Sequence, residues 1–533
     1  MRKKSIVLFV LSAVVLVVIC GFLIFFTNFA VINGKVYSLS VRTLDLKEGG
    51  MEDLSVLNRF SQLESVYAYG NTAKSLPSLE RCSSLRLLSV SGSDFPAEEC
   101  AAFYDRHPDA KLECGVLIGG SRFSSLVRSL ALSDEMNDGE IRLLPALKNL
   151  TLLDLRSAAV SDETYEYLKN RLPDCRIIRT VGFDGSQYLN TAESVKLSAD
   201  FFDKEDAETE IGRLKYFDSL KEIDALACAD SDALMDLRKR FPQYSVRWKT
   251  QIFDKMFDTT SSEIDLSKKE HTLGEFIKVF DQKLGRFSNL KKVYMMDCGL
   301  TNLNMEKLME KYPSIKFVWF VKFSRYKVRT DAVAFSTLIS SHKDADGLNE
   351  YTMAPLFKYC TDLVSLDVGH CHCRNISALA NLKQLRALII MNNSVVDITP
   401  LGKLSKLEFL EMNGNYVRSV EPLAGLKNLK MINLYGSHGI TDLSPLYNHS
   451  NLEMVIFDRF VPEKEQKRFI DSNPDCNTSF AVPSEGRTTT AAWRASPLRE
   501  KYKNSFRKWQ YVTGFDEETE TFSYDFKTKP SQR

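Results

Sequence analysis

Four consecutive residues, His370, Cys371, His372 and Cys373, are the strongest candidates for metal chemistry in this sequence. Imidazole nitrogens and thiolates are the ligands that zinc prefers, and a structural site needs four of them in a closed tetrahedron. Neighbouring side chains point in different directions, and no second pair of ligands at a metal-binding spacing is evident. The sequence therefore predicts no metal site and no cofactor.

Charge balance and composition narrow the classes of function. The chain of 533 residues carries 70 Lys+Arg against 69 Asp+Glu, so it has no strong overall field to attract nucleic acid. Hydrophobic residues at 44% and charged residues at 26% are typical of a globular protein. No nucleophile elbow, phosphate-binding loop or zinc-hydrolase motif occurs. We therefore predict no catalytic residues, no enzyme activity and no nucleic-acid partner.

A repeat with a period of 22 residues explains the positions of the cysteines. Its first leucines are spaced 22 apart, with one last step of 23: Leu363, Leu385, Leu407, Leu429 and Leu452. Each begins the pattern L-x-x-L-x-L, which is typical of leucine-rich repeats. Cys371 falls at the turn position that Asn393 and Asn415 hold in the following repeats. Cys228, Cys298 and Cys371 each fall eight residues after a repeat leucine, and they are therefore predicted to be buried thiols of the repeat framework.

The closing phrases of these repeats carry a family resemblance. They are Asp397-Ile-Thr-Pro-Leu401, Ser419-Val-Glu-Pro-Leu423 and Asp442-Leu-Ser-Pro-Leu446. The block resembles the 22-residue repeats of internalin-like leucine-rich repeat proteins of Gram-positive bacteria. That resemblance implies a curved solenoid whose parallel strands line a concave face, and a face that binds a protein or a glycan. It implies no catalytic residues.

A longer repeat occupies the middle of the chain. Helix-like segments stop at prolines spaced 65, 69 and 71 apart, namely Pro108, Pro173, Pro242 and Pro313. Proline ends these helices because it lacks the amide hydrogen that would continue the hydrogen-bond ladder. An alternating apolar run follows, clearest from Ile315 to Phe323, and predicts a strand. We interpret each unit as strand, crossover, strand and helix, and the fold class as an α/β leucine-rich repeat solenoid.

The N-terminus predicts a membrane anchor. Arg2, Lys3 and Lys4 precede the apolar run from Ser5 to Phe26, which at about 1.5 Å per residue is long enough to cross a bilayer core. The length of the run favours an uncleaved transmembrane helix over a signal peptide. The flanking positive charge predicts a cytoplasmic N-terminus. We therefore predict a single-pass protein of the cell membrane with its C-terminal domain extracellular.

The domain organisation follows from these patterns. We predict, in order along the chain, a membrane anchor, the first repeats, long irregular repeats with convex helices, regular repeats with a cap, a linker and a C-terminal tail: residues 1–30, 38–105, 106–362, 363–480, 481–495 and 496–533. The tail has a helix that begins near Ser496, with Leu498, Tyr502, Phe506 and Trp509 on one face.

The outward positions of the regular repeats form the candidate binding site. Residues between the inward apolar ones face the opposite side of each strand. We assign nine of them to the concave binding face: Ile389, Met391, Phe409, Glu411, Met431, Asn433, Tyr435, Met454 and Ile456. Most are large and apolar, which is unusual for residues that face water. They indicate either a surface that binds a protein or a surface that the C-terminal tail covers.

These observations predict a membrane-anchored extracellular protein that mediates recognition or adhesion through its concave face. One alternative is a structural subunit that holds an envelope complex together through its helix and tail. Another is a module that binds glycans or the cell wall, although a face rich in methionine favours a protein ligand. The identity of that ligand is not encoded in any motif of the sequence.

Overall fold

The computed structural model describes residues 2–46, 51–69, 73–77, 79–133, 135–337, 348–481, 493–504 and 511–523. These residues form two compact units, Met1–Trp248 and Lys249–Arg533. Each unit is built from short parallel strands joined by helices or turns, with antiparallel hairpins between the sheets.

The first unit begins with helix α1 (Arg2–Asn28), which is followed by a hairpin of β1 (Phe29–Ile32) and β2 (Lys35–Ser38). Within the described residues, no helix is both long and apolar enough to cross a membrane, so the predicted spanning helix over Ser5 to Phe26 is not supported.

A five-stranded sheet follows in the first unit. Its strands are β3 (Thr43–Asp45), β4 (Ser65–Tyr67), β5 (Leu87–Pro96), β6 (Lys111–Ile118) and β7 (Ser121–Ser124), and helix α2 (Ala97–Arg106) connects β5 to β6. Val66 pairs with Leu88 in the parallel register that their spacing of 22 predicts.

Two longer repeats complete the first unit. Their strands are β8 (Ser129–Ala131), β9 (Leu152–Asp154), β10 (Arg176–Ile178), β11 (Thr180–Phe183), β12 (Ser186–Leu189), β13 (Ser194–Lys196), β14 (Glu222–Asp224) and β15 (Ser245–Arg247). Their helices are α3 (Asp138–Ile141), α4 (Asp162–Arg171), α5 (Ala207–Arg213) and α6 (Asp232–Arg240). Each repeat is thus a three-stranded parallel sheet, and an antiparallel hairpin of β11 and β12 separates the two sheets.

The second unit opens with a third long repeat. Its strands are β16 (Lys249–Ile252), β17 (Lys255–Asp258), β18 (Glu263–Asp265), β19 (Lys292–Tyr294), β20 (Lys316–Val318), β21 (Phe320–Phe323) and β22 (Tyr326–Arg329), with helices α7 (Leu273–Leu284) and α8 (Asn302–Lys311). The helices α2, α4, α6 and α8 all end before the predicted prolines.

The long repeat contains more strands than the sequence predicted. The apolar run from Ile315 to Phe323 is not one strand, because β20 pairs with β19 whereas β21 turns back to pair with β22. The hairpin turn forms at Ser324, whose φ of 47° lies in the left-handed region that tight hairpin turns require. The unit is therefore strand, helix, strand, helix, strand and hairpin.

An eight-stranded sheet forms the rest of the second unit. Its strands are β23 (Ala334–Ser336), β24 (Ser365–Asp367), β25 (Ala387–Ile389), β26 (Phe409–Glu411), β27 (Met431–Asn433), β28 (Met454–Asp458), β29 (Asn477–Ala481) and β30 (Tyr511–Val512). Three helices lie between these strands in the chain: α9 (Ala354–Tyr359) after β23, α10 (Glu463–Ser472) after β28 and α11 (Pro497–Asn504) after β29. The chain ends, within the described residues, in a hairpin of β31 (Gly514–Asp516) and β32 (Thr521–Ser523).

The interior of this sheet confirms the repeat register. Leu366, Leu388, Leu410, Ile432 and Val455 occupy equivalent positions on neighbouring parallel strands. All five belong to one buried core. Between the strands the chain forms the short 3₁₀ segments that the spacing predicts, at Ser377–Asn381, Thr399–Lys403, Glu421–Leu423 and Ser444–Leu446.

Candidate functional site: the apolar face of the regular repeats

The predicted binding residues lie together on the side of the eight-stranded sheet opposite to its core. The residues on strands are Ile389 on β25, Phe409 and Glu411 on β26, Met431 and Asn433 on β27, and Met454 and Ile456 on β28. Met391 and Tyr435 lie two residues after the ends of β25 and β27. The parallel register places Phe409 beside Met431, and Met431 beside Met454. We call the apolar members of this set, with Val364 and Ala387, the apolar face.

The apolar face is covered by the C-terminal segment, which we define as residues 493–504 and 511–523. Phe409 and Met431 are 0% and 1% exposed, and they share one buried cluster with Trp493, Tyr502 and Val512. The ring of Trp493 packs 5.2 Å from that of Phe409. Burial of these side chains therefore stabilises the contact between the segment and the sheet through the hydrophobic effect.

The sequence-predicted tail helix contributes directly to this cover. Helix α11 begins at Pro497, and Leu498 and Tyr502 both pack in the cluster, as their common helical face predicts. Phe506 and Trp509 lie outside the described residues. The predicted linker, residues 481–495, includes Trp493, which is only 2% exposed. Residues 482–492 of this linker lie outside the described residues.

Polar contacts fix the position of the segment on the face. The Arg499 guanidinium lies 3.4 Å from the Glu411 carboxylate, and both side chains are largely buried. At the edge of the cluster, Arg386 binds both Glu408 at 3.3 Å and Glu520 at 2.5 Å. The Ser365 hydroxyl donates to the backbone oxygen of Tyr502 at 3.3 Å. These contacts give the docked segment a defined register that apolar packing alone would not impose.

A backbone pairing completes the cover. Strand β30 pairs antiparallel with β23, with Ala334 opposite Val512, and the Val333 amide donates to the Val512 oxygen at 2.7 Å. β30 and β29 therefore lie at the two opposite edges of the eight-stranded sheet. An exposed strand edge offers unpaired amide and carbonyl groups, and β30 satisfies those of β23.

The cluster from His370 to Cys373 does not converge on one point. Cys371 and Cys373 are buried in the repeat core, whereas His372 is exposed and His370 is half-buried. Both cysteine amides donate to the Asn393 side-chain oxygen, at 3.0 and 2.9 Å. Burial raises the pKa of the Cys371 thiol to about 12, which disfavours the thiolate that a metal requires. Among the described residues no group of acidic, cysteine and histidine side chains is arranged to hold a metal ion.

Asp367 lies on β24 beneath the C-terminal segment and has an unusual environment. Burial and the nearby Glu411 carboxylate raise its pKa, whereas a bond from the Gly369 amide, the Lys503 ammonium and a bond from Ser336 lower it, and the net pKa is about 6. The folded state therefore favours the protonated carboxyl. This contribution to stability is complete below the ordinary pKa of 3.8 and is lost as the pH rises through about 6.

We expect the free energy of unfolding to fall between pH 4 and pH 6 by up to about 3 kcal/mol because of Asp367. Asp367→Asn removes that dependence while retaining an oxygen to accept from the Gly369 amide. The measurement is chemical unfolding of both proteins across this pH range. Asp397→Asn is the control, because hydrogen bonds from Thr399 lower the pKa of the Asp397 carboxyl. This variant should leave the dependence between pH 4 and pH 6 intact. An Asp367→Asn protein with the original pH profile would contradict this assignment.

Comparison with known proteins agrees with this geometry. Residues 405–448 match the profile of the family described as Leucine Rich repeats (2 copies). The C-terminal region contains leucine-rich repeats. No curated protein matches the chain.

Solved leucine-rich repeat structures are also similar to the chain. An internalin from Listeria monocytogenes is 13% identical, with 84% of this chain and 83% of that chain covered and a TM-score of 0.22. Internalin C2 from the same organism is 27% identical over 36% of this chain and 79% of its own, with a TM-score of 0.21. A leucine-rich repeat protein from Leptospira interrogans is 14% identical over 79% and 74%, with a TM-score of 0.19.

Several residues of the site were not singled out by the sequence patterns. Trp493, Arg499, Val512 and Phe515 all contact the apolar face or its edge. Trp493 and Phe515 are large aromatic residues in stretches of small or polar residues, and that contrast was the available signal. The sequence around Arg499 contained no such signal, because its partner Glu411 is distant in the sequence.

Proposed function

We propose that this protein binds another protein through the apolar face of its leucine-rich repeats. The observation that carries the proposal is a continuous row of apolar side chains on neighbouring strands, from Ile389 through Phe409 and Met431 to Ile456. Methionine adapts its shape to different partners, and a large apolar patch marks a site of protein association where it is exposed. Met391, Tyr435 and Met454 are only half-buried and form the part of the face that a partner reaches first.

The location of the protein belongs to the same proposal. Arg2, Lys3 and Lys4 followed by the apolar run from Ser5 to Phe26 support an N-terminal anchor, with the repeats displayed outside the cell. The repeats then form an extracellular recognition or adhesion module.

A crosslinking experiment tests the recognition surface. A photoreactive aromatic residue is placed at Tyr435, on the face, or at Tyr416, which is 64% exposed and is not part of the buried cluster of the apolar face. Illumination of living cells that make the full chain should capture a partner from position 435 and not from position 416. The same products from both positions, or none from position 435, would contradict the proposal.

A structural subunit of an envelope complex is the second candidate function. It is favoured by the complete burial of Phe409 and Met431, since a face that serves the chain's own fold needs no partner. In that case capture from the exposed position 416, without capture from position 435, is the expected result of the same experiment.

The orientation in the membrane is tested separately. Protease added to intact cells without their wall should digest the bulk of the full chain, because the repeats are proposed to lie outside. The control is the same digestion after the membrane has been permeabilised, which should remove the remaining fragment as well. Complete protection in intact cells would place the repeats inside and overturn the proposed location.

A further inference from the structure

The C-terminal segment crosses the sheet in the manner of a bound peptide. Ser496 lies 3.0 Å from the Met431 sulfur on β27, Tyr502 contacts Ser365 on β24, and Val512 pairs with Ala334 on β23. The segment thus runs across successive strands towards one edge of the sheet rather than along a single strand. It touches the repeats through side chains on the face and through the edge of β23.

The repeats do not need the segment to form their own core. The buried core of the repeats contains Leu366, Leu388 and Leu410, and no residue of the C-terminal segment belongs to it or packs against it. The segment belongs to a separate buried cluster on the other side of the same strands. Because successive side chains of a strand point to opposite faces, removing the segment exposes the apolar face without opening the core.

We propose that the C-terminal segment is an exchangeable ligand that the apolar face holds in cis, and that the partner is a protein segment of the same chemistry that replaces it. This inference rests on the proposed function, because it names the kind of partner that the same face accepts. Such a peptide carries aromatic side chains for the pocket around Phe409, a cation for Glu411, and an extended strand for the edge of β23.

The contact between Arg499 and Glu411 sets the charge of the partner. Glu411 is 5% exposed while the segment is docked, and a buried carboxylate without a cation is strongly unfavourable. A peptide with an arginine or lysine at this position compensates the charge, whereas an acidic peptide adds a second carboxylate. The face therefore selects a basic aromatic segment and discriminates against an acidic one.

The pairing at β23 sets the conformation of the partner. β30 contributes only Tyr511 and Val512 to the pairing, so a short extended stretch is sufficient. Addition of a peptide strand to an exposed sheet edge is a general mode of recognition, in which backbone bonds give affinity and neighbouring side chains give selectivity. Here the aromatic residues supply the selectivity.

Exchange is measured on the full chain. A specific protease site is introduced between residues 482 and 492, and the folded protein is cut so that its own C-terminal piece is held only by non-covalent contacts. A fluorescent peptide of residues 493–533 is then added in excess. We expect the labelled peptide to replace the original piece, to saturate at one per chain and to give a slow change in fluorescence anisotropy.

Two peptide variants supply the matched comparison. Arg494 is exposed and Arg499 faces Glu411, so Arg494→Ala should compete like the native peptide while Arg499→Ala should compete about tenfold or more weakly. Equal competition by both variants would overturn the proposed charge selection. A cut protein that stays folded but never admits the labelled peptide would show that the segment is a permanent layer of the fold and overturn the proposal.

Failure of this inference is distinguishable from failure of the proposed function. If the peptide does not exchange but position 435 captures a partner in cells, the face binds proteins without releasing its cover. If the peptide exchanges but position 435 captures nothing, the segment is a ligand of the face in cis, and the proposed recognition of another protein is wrong.

Discussion

Asn393→Ala is expected to lower the free energy of unfolding by about 3 kcal/mol or more. The Asn393 side-chain oxygen accepts from the amides of Cys371 and Cys373, and its nitrogen donates to the carbonyls of Val368 and Ile390, at 3.1 and 3.0 Å. Alanine leaves both amides buried without their acceptor. A single buried donor that loses its partner costs about 1–3 kcal/mol, and here two are affected.

Asn428→Ala is the matched control for this change. Asn428 is exposed, and its side chain makes one bond, to the Ser405 oxygen at 2.7 Å. Water replaces that bond, so we expect a loss below about 1 kcal/mol. Chemical unfolding of the full-length proteins gives both values. Similar losses for the two variants would mean that the turn at Asn393 is hydrated and not buried.

Leu410→Ala is expected to destabilise the protein by about 2–5 kcal/mol. Leu410 is 0% exposed and lies between Leu388 and Ile432 on the neighbouring strands. Alanine leaves a cavity between two repeats, and a repeat contacts mainly its neighbours, so the lost packing has no substitute.

Val396→Ala tests whether burial rather than loss of an apolar side chain causes the effect of Leu410→Ala. Val396 is 48% exposed within the same block of repeats, so its truncation should change the free energy of unfolding by less than about 0.5 kcal/mol. An unaltered unfolding curve for Leu410→Ala would mean that the assigned register of the repeats is wrong.

The effects expected for Leu410→Ala and Asn393→Ala come from features that differ in how clearly the sequence shows them. The leucine positions recur at a constant spacing, and each has the same environment in every repeat, so a simple period identified them. The role of Asn393 was visible only as a turn position in the repeat. Its bonds to Cys371 and Cys373 lie one repeat back in the chain and require the stacked structure to form.

The candidate site was predictable from the sequence where it depends on the period of a strand or a helix. Strand alternation identified Phe409, Met431 and Ile456 as one face, and the structure places them together. A helical spacing of four residues assigned Leu498 and Tyr502 to one side of the tail helix, as observed. The pairing of Arg499 with Glu411 was not predictable, because one charged side chain in a polar tail resembles every other.

By itself the sequence determined the regular repeat, the direction of the side chains on its strands and the ends of the helices before proline, because these features depend on spacing and on local backbone chemistry. Only the tertiary structure decided that the apolar face is covered, that Trp493 fills the space beside Phe409 and that β30 closes the edge of β23. Those contacts join residues far apart in the chain. Their formation depends on the free energy of burial and on the geometry of the folded sheet, which no local pattern records.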